Sequence, residues 1–369
     1  MWQTVKNIYD LGIKELRGLL CDWLMVLLII YSFTMAIYVT ANAYPDSLTN
    51  AAVAIVDEDN SQLTKRITDA LMPPYFAPPI TITQEEIDPG MDSGLYTFVL
   101  VFPVNFQKDV LGGNGPEIQL NVDATRMSQA FTGAGYIQQI VLTEIEKFSR
   151  GSAEAPAKCV IRNRFNPNLT VSWFESVMQL INNITMLAIV LTGAALIRER
   201  ENGTLEHLLV MPVTDFEIIA SKIWSMGVAV LLSATLSVLV VIKWWMHVPI
   251  GGSLPLFTFG LALHLFAVTS MGIFLACIAQ SMPQLGMLLL LVLIPMQMLS
   301  GGMTPRESMP EAIQLIMNLA PTTHFVSFSQ AILYRGAGFD VVWKPFLWLI
   351  GIGAFLFTSS LARFRKSVA

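Results

Sequence analysis

The chain has 369 residues, of which 54% are hydrophobic and only 13% charged, and its mean hydropathy is +0.57. That balance is too apolar for a soluble protein of this length and points to an integral membrane protein. A formal net charge of −5 argues against a nucleic-acid partner, which requires a basic surface.

A hydrocarbon core of ~30 Å takes about 20 apolar residues per helix. Six runs qualify in chain order: Trp23–Ala41, Trp173–Ile197, Ile223–Val241, Leu256–Ile278, Leu285–Ser300 and Phe346–Leu361. An even number of crossings puts both ends on one side. Basic residues near the spans choose that side: Lys6, Lys14, Arg17, Arg198, Arg200, Lys222, Arg363, Arg365 and Lys366 lie on the side of the termini. Only Lys243, Arg306, Arg335 and Lys344 lie in the two shorter loops opposite, so the termini and the loop after the second span are expected in the cytoplasm. Residues 1–41 then form an amphipathic cytoplasmic lead and the first span. Ala41-Asn42-Ala43 has the small-residue spacing of a signal-peptidase site, but the long polar lead and the length of the run suit a retained signal anchor better.

Residues 42–172 contain no run long enough to span, and they alternate between strand and helix patterns. Strands are expected at Ala51–Val56, Ile80–Thr83, Tyr96–Phe102 and Glu117–Val122, and helices at Ser61–Leu71, Asn105–Leu111 and Ser128–Arg150. This is the rhythm of a small extracytoplasmic α/β domain. Acidic side chains outnumber basic ones in it, as on an ordinary solvated surface. Of Cys21, Cys159 and Cys277 only Cys159 falls inside it, so no disulfide can form there. Gly112-Gly113-Asn114-Gly115 lacks the following Lys-Ser/Thr of a phosphate loop and is expected as a turn.

The second span is followed at once by Arg198, Glu199, Arg200 and Glu201, then Gly203, Thr204, Leu205, Glu206, Leu208, Leu209 and Pro212. Leu205, Leu208 and Leu209 fall on one helical face with the charges on others, the pattern of an amphipathic helix over 198–212. Gly203 inside it costs about 1 kcal/mol relative to Ala and marks a bend. Pro212 stops the helix, and Thr214 and Asp215 start the next.

Residues 301–344 are too long for a turn, yet the apolar pieces Glu311–Leu319 and Thr322–Leu333 would reach only about 14–18 Å as helices and cannot cross. Ser308 and Glu311 make a capping-box pair, and Pro310 suits a first turn. Polar side chains within spans are candidates for a pathway: Gln179, Asn182, Asn183 and Thr185 in the second span and Gln297 in the fifth. Helix–helix hydrogen bonding explains each as well, and His264 in the fourth span is expected to serve packing. Apart from Glu175 near the outer end of the second span, no carboxylate or ammonium sits deep in a span, which counts against a proton-coupled carrier.

No enzyme constellation is present. His207, His247, His264 and His324 fall in separate segments, without a zinc pattern or a nucleophile elbow. No catalytic or metal site is expected. No nucleotide-binding sequence occurs either, so ATP-driven work would need another subunit.

The run Arg198–Pro212, in its place after the second span, resembles the signature of ABC-2 type exporter permeases. The segments 121–130, 164–169, 182–186 and 300–310 extend the likeness over most of the chain to one branch, the YhhJ-like bacterial inner-membrane permeases. The resemblance implies an α-helical polytopic membrane protein of the ABC-2, or type V exporter, kind. It would have six transmembrane helices and an α/β extracytoplasmic domain between the first two. It also implies pairing with a second permease copy or paralogue and with cytoplasmic ATP-binding subunits that hold ATP and Mg. Carried onto this sequence, 198–212 is the coupling helix: Glu199, Arg200, Glu201, Gly203, Thr204 and Glu206 would dock, and Leu205, Leu208 and Leu209 would pack. Residues 301–344 would be a re-entrant hairpin on the outer side. By analogy, a periplasmic adaptor and an outer-membrane channel are further partners. The expected function is export of small molecules from the cytoplasm or inner membrane with ATP hydrolysed by a separate subunit; an apolar pathway suits amphiphilic drugs or lipid-like molecules, but the same walls would pass a polypeptide chain or a steroid. The alternative is a membrane-anchored binding or signalling protein that works through its α/β domain.

Overall fold

The structure, a computed structural model, describes residues 2–43, 50–123, 127–150, 170–204, 212–302, 304, 306 and 309–368. The chain divides into two compact units, Met1–Tyr44 with Asn163–Ala369, and Pro45–Arg162.

The first unit opens with α1 (Trp2–Cys21), α2 (Trp23–Phe33) and α3 (Met35–Ala43). α1 is amphipathic, burying Gly12 and Leu19 while Trp2, Val5 and Tyr9 stay exposed. Asp22 separates it from α2 and caps that helix, its Oδ1 accepting from the Met25 N–H at 3.3 Å. The expected first span is thus two helices broken at Thr34. Thr34 leaves helical geometry, and the carbonyls of Ser32 and Phe33 are taken by side chains from elsewhere. Asn183 Nδ2 donates to Ser32 O at 2.5 Å and Ser237 Oγ to Phe33 O at 2.6 Å. A break inside an apolar run is tolerated when neighbouring helices satisfy the freed backbone groups.

The second unit contains β1 (Val53–Asp57), α4 (Gln62–Ala70), β2 (Ile80–Thr81), α5 (Ile87–Asp92), β3 (Phe98–Phe102), α6 (Phe106–Gly112), β4 (Gln119–Val122) and α7 (Met127–Arg150). The sheet order is β2-β1-β3-β4; β1 runs parallel to β2 and β3, and β4 is antiparallel on the edge. Alternation along β1 divides the core. Val53 and Ile55 face Leu63, Ile67, Phe106 and Ile137, whereas Ala54 and Val56 meet Val99, Ile82 and Ile87 on the other face. Ser61 and Thr64 form a reciprocal cap that starts α4. The short helix α5, preceded by a 3₁₀ turn at Gln84–Glu86, is not foreshadowed by the sequence pattern; Pro89 and Gly90 weaken any helical signal there. Cys159 lies outside the described residues.

The first unit resumes with α8 (Val171–Glu201), α9 (Asp215–Ser237), α10 (Leu254–Ile278), α11 (Met282–Met298), α12 (Glu311–Met317), α13 (Pro321–Leu333) and α14 (Phe339–Val368). Among the described residues five helical stretches are long and apolar enough to cross a membrane: Trp23–Ala43, Val171–Glu201, Asp215–Trp245, Leu254–Ile278 and Phe339–Arg365. The fifth expected span is the shorter α11, whose 17 residues reach about 26 Å. α8 is central, with 83% of its apolar stretch buried against 28% for the first and last stretches.

Several expectations are corrected. The third span begins at Asp215, where Thr214 and Glu217 form a capping box, so Lys222 lies inside a helix and not in a loop. That helix continues into a π-helical segment, Val238–Trp245, in which the Met246 N–H reaches Val241 O at 2.9 Å. Within 198–212, where a helix bent at Gly203 is expected, α8 ends at Glu201 and Gly203 takes the left-handed φ of +68°. Such a φ is open to glycine without steric cost and ends helices. Residues 205–211, with Leu205, Glu206, His207, Leu208 and Leu209, lie outside the described residues. The two short helices of 301–344 are present as α12 and α13. Pro310 stands at the cap position of α12 without a side-chain hydrogen bond, and Ser308 lies outside the described residues.

Candidate functional site

α8 has 31 residues and extends about 46 Å, beyond a hydrocarbon core of ~30 Å. Its last turn carries four consecutive charges, and each engages a different neighbour. Arg198 Nη1 pairs with Asp22 Oδ2 at 3.2 Å, at the start of α2. Glu199 receives Lys14 Nζ of α1 at 2.7 Å and Lys222 Nζ of α9 at 2.6 Å. Arg200 Nη1 donates to Ala279 O at 2.7 Å and Ala276 O at 3.4 Å, the open C-terminus of α10. Glu201 Oε1 accepts from the Met282 N–H at 2.8 Å, the first residue of α11. A guanidinium on the last carbonyls of one helix and a carboxylate at the first N–H of the next both satisfy orphan backbone groups and match the helix dipoles.

Glu15 completes the cluster, 3.0 Å from Lys222 and 3.5 Å from Lys14. The Lys222 residue is 1% exposed and Glu199 8%, so these charges are held inside the protein and must be paired to be tolerated. Two ammoniums and two carboxylates make the cluster neutral. Lys14 stands at its half-exposed edge. Burial works against its charge, but the hydrogen bond and charge of Glu199, helped by Glu15, hold its pKa above the ordinary lysine value.

α1 is seated on α9 by more than charge. Trp224 Nε1 donates to Ile8 O at 3.0 Å, and Tyr9 stacks on the Trp224 ring at 6.1 Å between centroids. Asn7 Nδ2 reaches Glu217 Oε2 at 3.4 Å.

Of the residues expected to dock a partner, Glu199 points inward to Lys14 and Lys222, and Arg200 is half-buried on the end of α10. Glu201, Gly203 and Thr204 are exposed, with Thr204 Oγ1 returning to Glu199 O at 3.1 Å. Lys14 and Glu15 complete this cluster and Asp22 holds Arg198 beside it, yet nothing in the sequence pattern shows that they meet the end of α8. The amphipathic lead showed only that one face of α1 needed cover.

The polar residues of the second span do not form one line. Gln179 Nε2 donates to Asn183 Oδ1 at 2.9 Å, and Asn183 goes on to Ser32 O. Gln297 Nε2 of α11 reaches the Asn182 carbonyl at 3.4 Å. Thr185 Oγ1 lies 3.0 Å from His264 Nε2, and the His264 ring stacks on Phe325 at 3.8 Å. His264 serves the packing of α8, α10 and α13, as expected. Asn183 and Thr185 are buried, whereas Gln179, Asn182 and Gln297 are only half-buried. Among the described residues no three His, Cys, Asp or Glu side chains gather as metal ligands.

The sequence matches the family described as ABC-2 family transporter protein over residues 17–362. It is 58% identical over 367 residues to the inner membrane transport permease YhhJ of Escherichia coli (strain K12), covering 99% of this chain and 98% of that protein. It is 29% identical over 371 residues to the probable multidrug ABC transporter permease YbhR of the same organism, covering 98% of this chain and 99% of that one. A third relative, the probable multidrug ABC transporter permease YbhS, is 26% identical over 352 residues, or 91% of this chain and 89% of its own length. With several long apolar helices tied at one end by α8, and a family match over nearly all of its length, the chain belongs to the ABC-2 transporter family and is a multi-pass membrane permease.

Proposed function

We propose that the chain is the membrane subunit of an exporter in the bacterial inner membrane, driven by ATP that a separate subunit binds and hydrolyses. The observation that carries this is the last turn of α8, where four adjacent side chains grip α2, α1 with α9, α10 and α11. A push on the segment that follows is therefore delivered to most of the bundle together. Residues 202–212 are the place for that push. Asn202 and Gly203 form an exposed turn, Thr204 and Glu201 flank it, and Leu205, Glu206, Leu208 and Leu209, which follow in sequence outside the described residues, are assigned to the same docking role. Glu199 and Arg200 anchor it from within.

In this reading six helices cross the membrane, with both termini in the cytoplasm and the α/β unit in the periplasm. α11 is the fifth crossing and α14 the sixth, and α12 with α13 forms the re-entrant hairpin. Two permease copies or paralogues pair, and Gln179, Asn182 and Gln297 line the pathway beside Asn183 and Thr185. The multidrug description of the YbhR and YbhS relatives supports an amphiphilic cargo, and a periplasmic adaptor with an outer-membrane channel is a further candidate partner.

The test is the complex of this chain with its ATPase, purified and reconstituted in vesicles with an amphiphilic dye. Gly203→Trp places a large side chain where φ is +68°, at a cost of about 1–2 kcal/mol, and Glu201→Lys reverses the exposed charge. Both are expected to keep ATP hydrolysis and lose dye export, whereas Glu201→Gln retains a hydrogen-bond acceptor for Met282 and should export. Wild-type export by both disruptive variants would remove the coupling assignment.

A further inference from the structure

The break at Thr34 joins three spans at one level. Thr34 has φ −127° and ψ −82°, and its Oγ1 donates back to Ile30 O at 2.6 Å, a contact that bends helices. In a continuous helix the carbonyls of Ser32 and Phe33 accept from the Ala36 and Ile37 N–H groups. Here they accept from Asn183 Nδ2 of α8 and Ser237 Oγ of α9. This sets Ser237 apart from its neighbours, since Ser233 and Thr235 donate within their own helix, to Ala229 O at 2.9 Å and Leu231 O at 2.7 Å. Ser237 is also the last residue of α9, and the π-helical segment starts at Val238. π-helical turns recur at functional sites.

The two halves of the first span are held unequally. α3 buries Ile37 and Ala41 completely, and its Tyr38 stacks on Trp245 of the π-helical segment at 4.8 Å between centroids. α2 buries only its last two residues, Ser32 and Phe33, while Trp23, Leu24, Leu27, Ile30 and Tyr31 are each more than half exposed. Its far end is tied by the Asp22–Arg198 pair at 3.2 Å. α2 is thus a lever of 11 residues, about 16 Å long, attached at both ends and little packed between them. Straightening at Thr34 exchanges two hydrogen bonds for two, because Ser32 O and Phe33 O pass from Asn183 and Ser237 to the N–H groups of Ala36 and Ile37. An even exchange keeps two arrangements close in free energy, which is what a bistable element needs.

We infer that Thr34 is a hinge between a bent and a straight first span, with the Asn183 and Ser237 side chains as the latch of the bent form. In the straight form α2 turns about Thr34 while α3 stays with α8, and the Asn183 amide and the Ser237 hydroxyl are released inside the bundle. The use of the hinge rests on the exporter reading above: a displacement of Arg198 at the end of α8 reaches Asp22, turns α2 and frees polar groups beside the pathway. The hinge itself does not depend on that reading.

The test is a spin-label distance measurement on the full chain in phospholipid nanodiscs, with labelled chain diluted in unlabelled chain. Labels at Leu24 on α2 and Phe355 on α14 report the lever, and labels at Val39 on α3 and Phe355 are the reference. A turn of about 20° on a lever of about 16 Å moves its end by about 6 Å. Asn183→Ala with Ser237→Ala strands both carbonyls in the bent form and should raise the ratio of straight to bent by about tenfold or more, read as a second Leu24 distance. Ser237→Thr keeps the hydroxyl and should match the unaltered chain. Ala36→Pro falls in the first turn of α3, where proline is tolerated, but has no N–H to close the straight helix, so it should leave the bent distance alone. Ser237→Ala by itself, with a smaller shift in the same direction, serves if the double variant does not fold. One Leu24 distance shared by the unaltered chain, the folded donor variants and Ala36→Pro shows a fixed kink and overturns the proposal. So does an equal shift of the Val39 pair, which would mean that the span moves as a rigid rod. No ATP, cargo or partner subunit enters this measurement, so its failure removes the hinge while the coupling variants judge the exporter reading separately.

Discussion

Lys222 and Glu199 meet at 2.6 Å where α9 crosses the end of α8, with the lysine 1% exposed. The pair joins helices on either side of a segment outside the described residues, and Lys14 and Glu15 bring α1 to the same point. Removing one partner of a buried pair strands the other, at about 3–5 kcal/mol, while an exposed pair is worth about 0–1 kcal/mol. Lys222→Ala is therefore expected to destabilise the chain far more than Lys14→Ala. The double variant Lys222→Met with Glu199→Gln, which leaves Lys14 and Glu15 balanced, should recover much of the loss. Thermal unfolding of the full chain in detergent reads all three variants against the unaltered chain; equal losses at Lys14 and Lys222 would contradict the burial argument.

Gly12 of α1 lies flat against Trp224, and a Cβ there would overlap the indole ring. Gly12→Val is expected to lift α1 from α9, at about 1–3 kcal/mol for overpacking. Hydrogen exchange of residues 2–21 should accelerate, and more in Gly12→Val than in Gly12→Ala, whose single methyl asks less of the Trp224 ring. Unchanged exchange in Gly12→Val would show that α1 is held by its charges alone.

Gly272 sets the approach of α10 to α8. A Cβ at that position would stand 2.7 Å from Ile189 O and 3.2 Å from Ile189 Cα, and Gly193 is similarly close to the Gly272 carbonyl. Backbone cannot yield as a side chain can, so Gly272→Ala should cost about 1–3 kcal/mol. Gly286→Ala on α11, where a Cβ meets nothing within 4 Å, is the matched control. A stability ranking with Gly286→Ala the more damaging would refute the close crossing.

In the α/β unit Glu144 accepts from Lys147 at 2.7 Å and from Arg66 of α4 at 3.0 Å. The Lys147 hydrogen bond, with Arg66 adding to it, holds the Glu144 carboxyl below its ordinary value of 4.5. A carboxylate with a depressed folded pKa contributes stability that is present above the unfolded value and is lost as pH falls through the folded one. Protection factors of α4 and α7 in the full chain should therefore be steady above pH 4.5 and decline below it. Glu144→Gln should flatten the part of that decline due to this residue; an identical pH profile in the variant would remove the pairing from the account.

Local patterns made much of this molecule legible. A short apolar run ending in a turn located β1, a run of β-forming residues located β3, alternation located β4, the Thr214-Asp215 start located α9, and the charged run after the second span drew attention to the end of α8. Local pattern misled where a single position changed the backbone. Thr34 divides an unbroken apolar run because Asn183 and Ser237 accommodate the break from distant parts of the chain. Gly203, by contrast, is where the sequence puts a bend, and it takes a left-handed φ of +68° just past the end of α8. Lys222 read as a loop residue because a lone lysine marks a membrane edge unless a carboxylate from elsewhere meets it.

The sequence by itself determined that this is a membrane protein, where its apolar helices run and which family it belongs to, because hydrophobic length, periodicity and a contiguous motif are properties of neighbouring residues. Only the tertiary structure decided what the charges of that motif hold. Arg198, Glu199, Arg200 and Glu201 are adjacent in the chain, but Asp22, Lys14, Lys222, Ala279 and Met282 are brought to them by packing. Whether a charge faces solvent or a buried partner depends on what the fold sets opposite it.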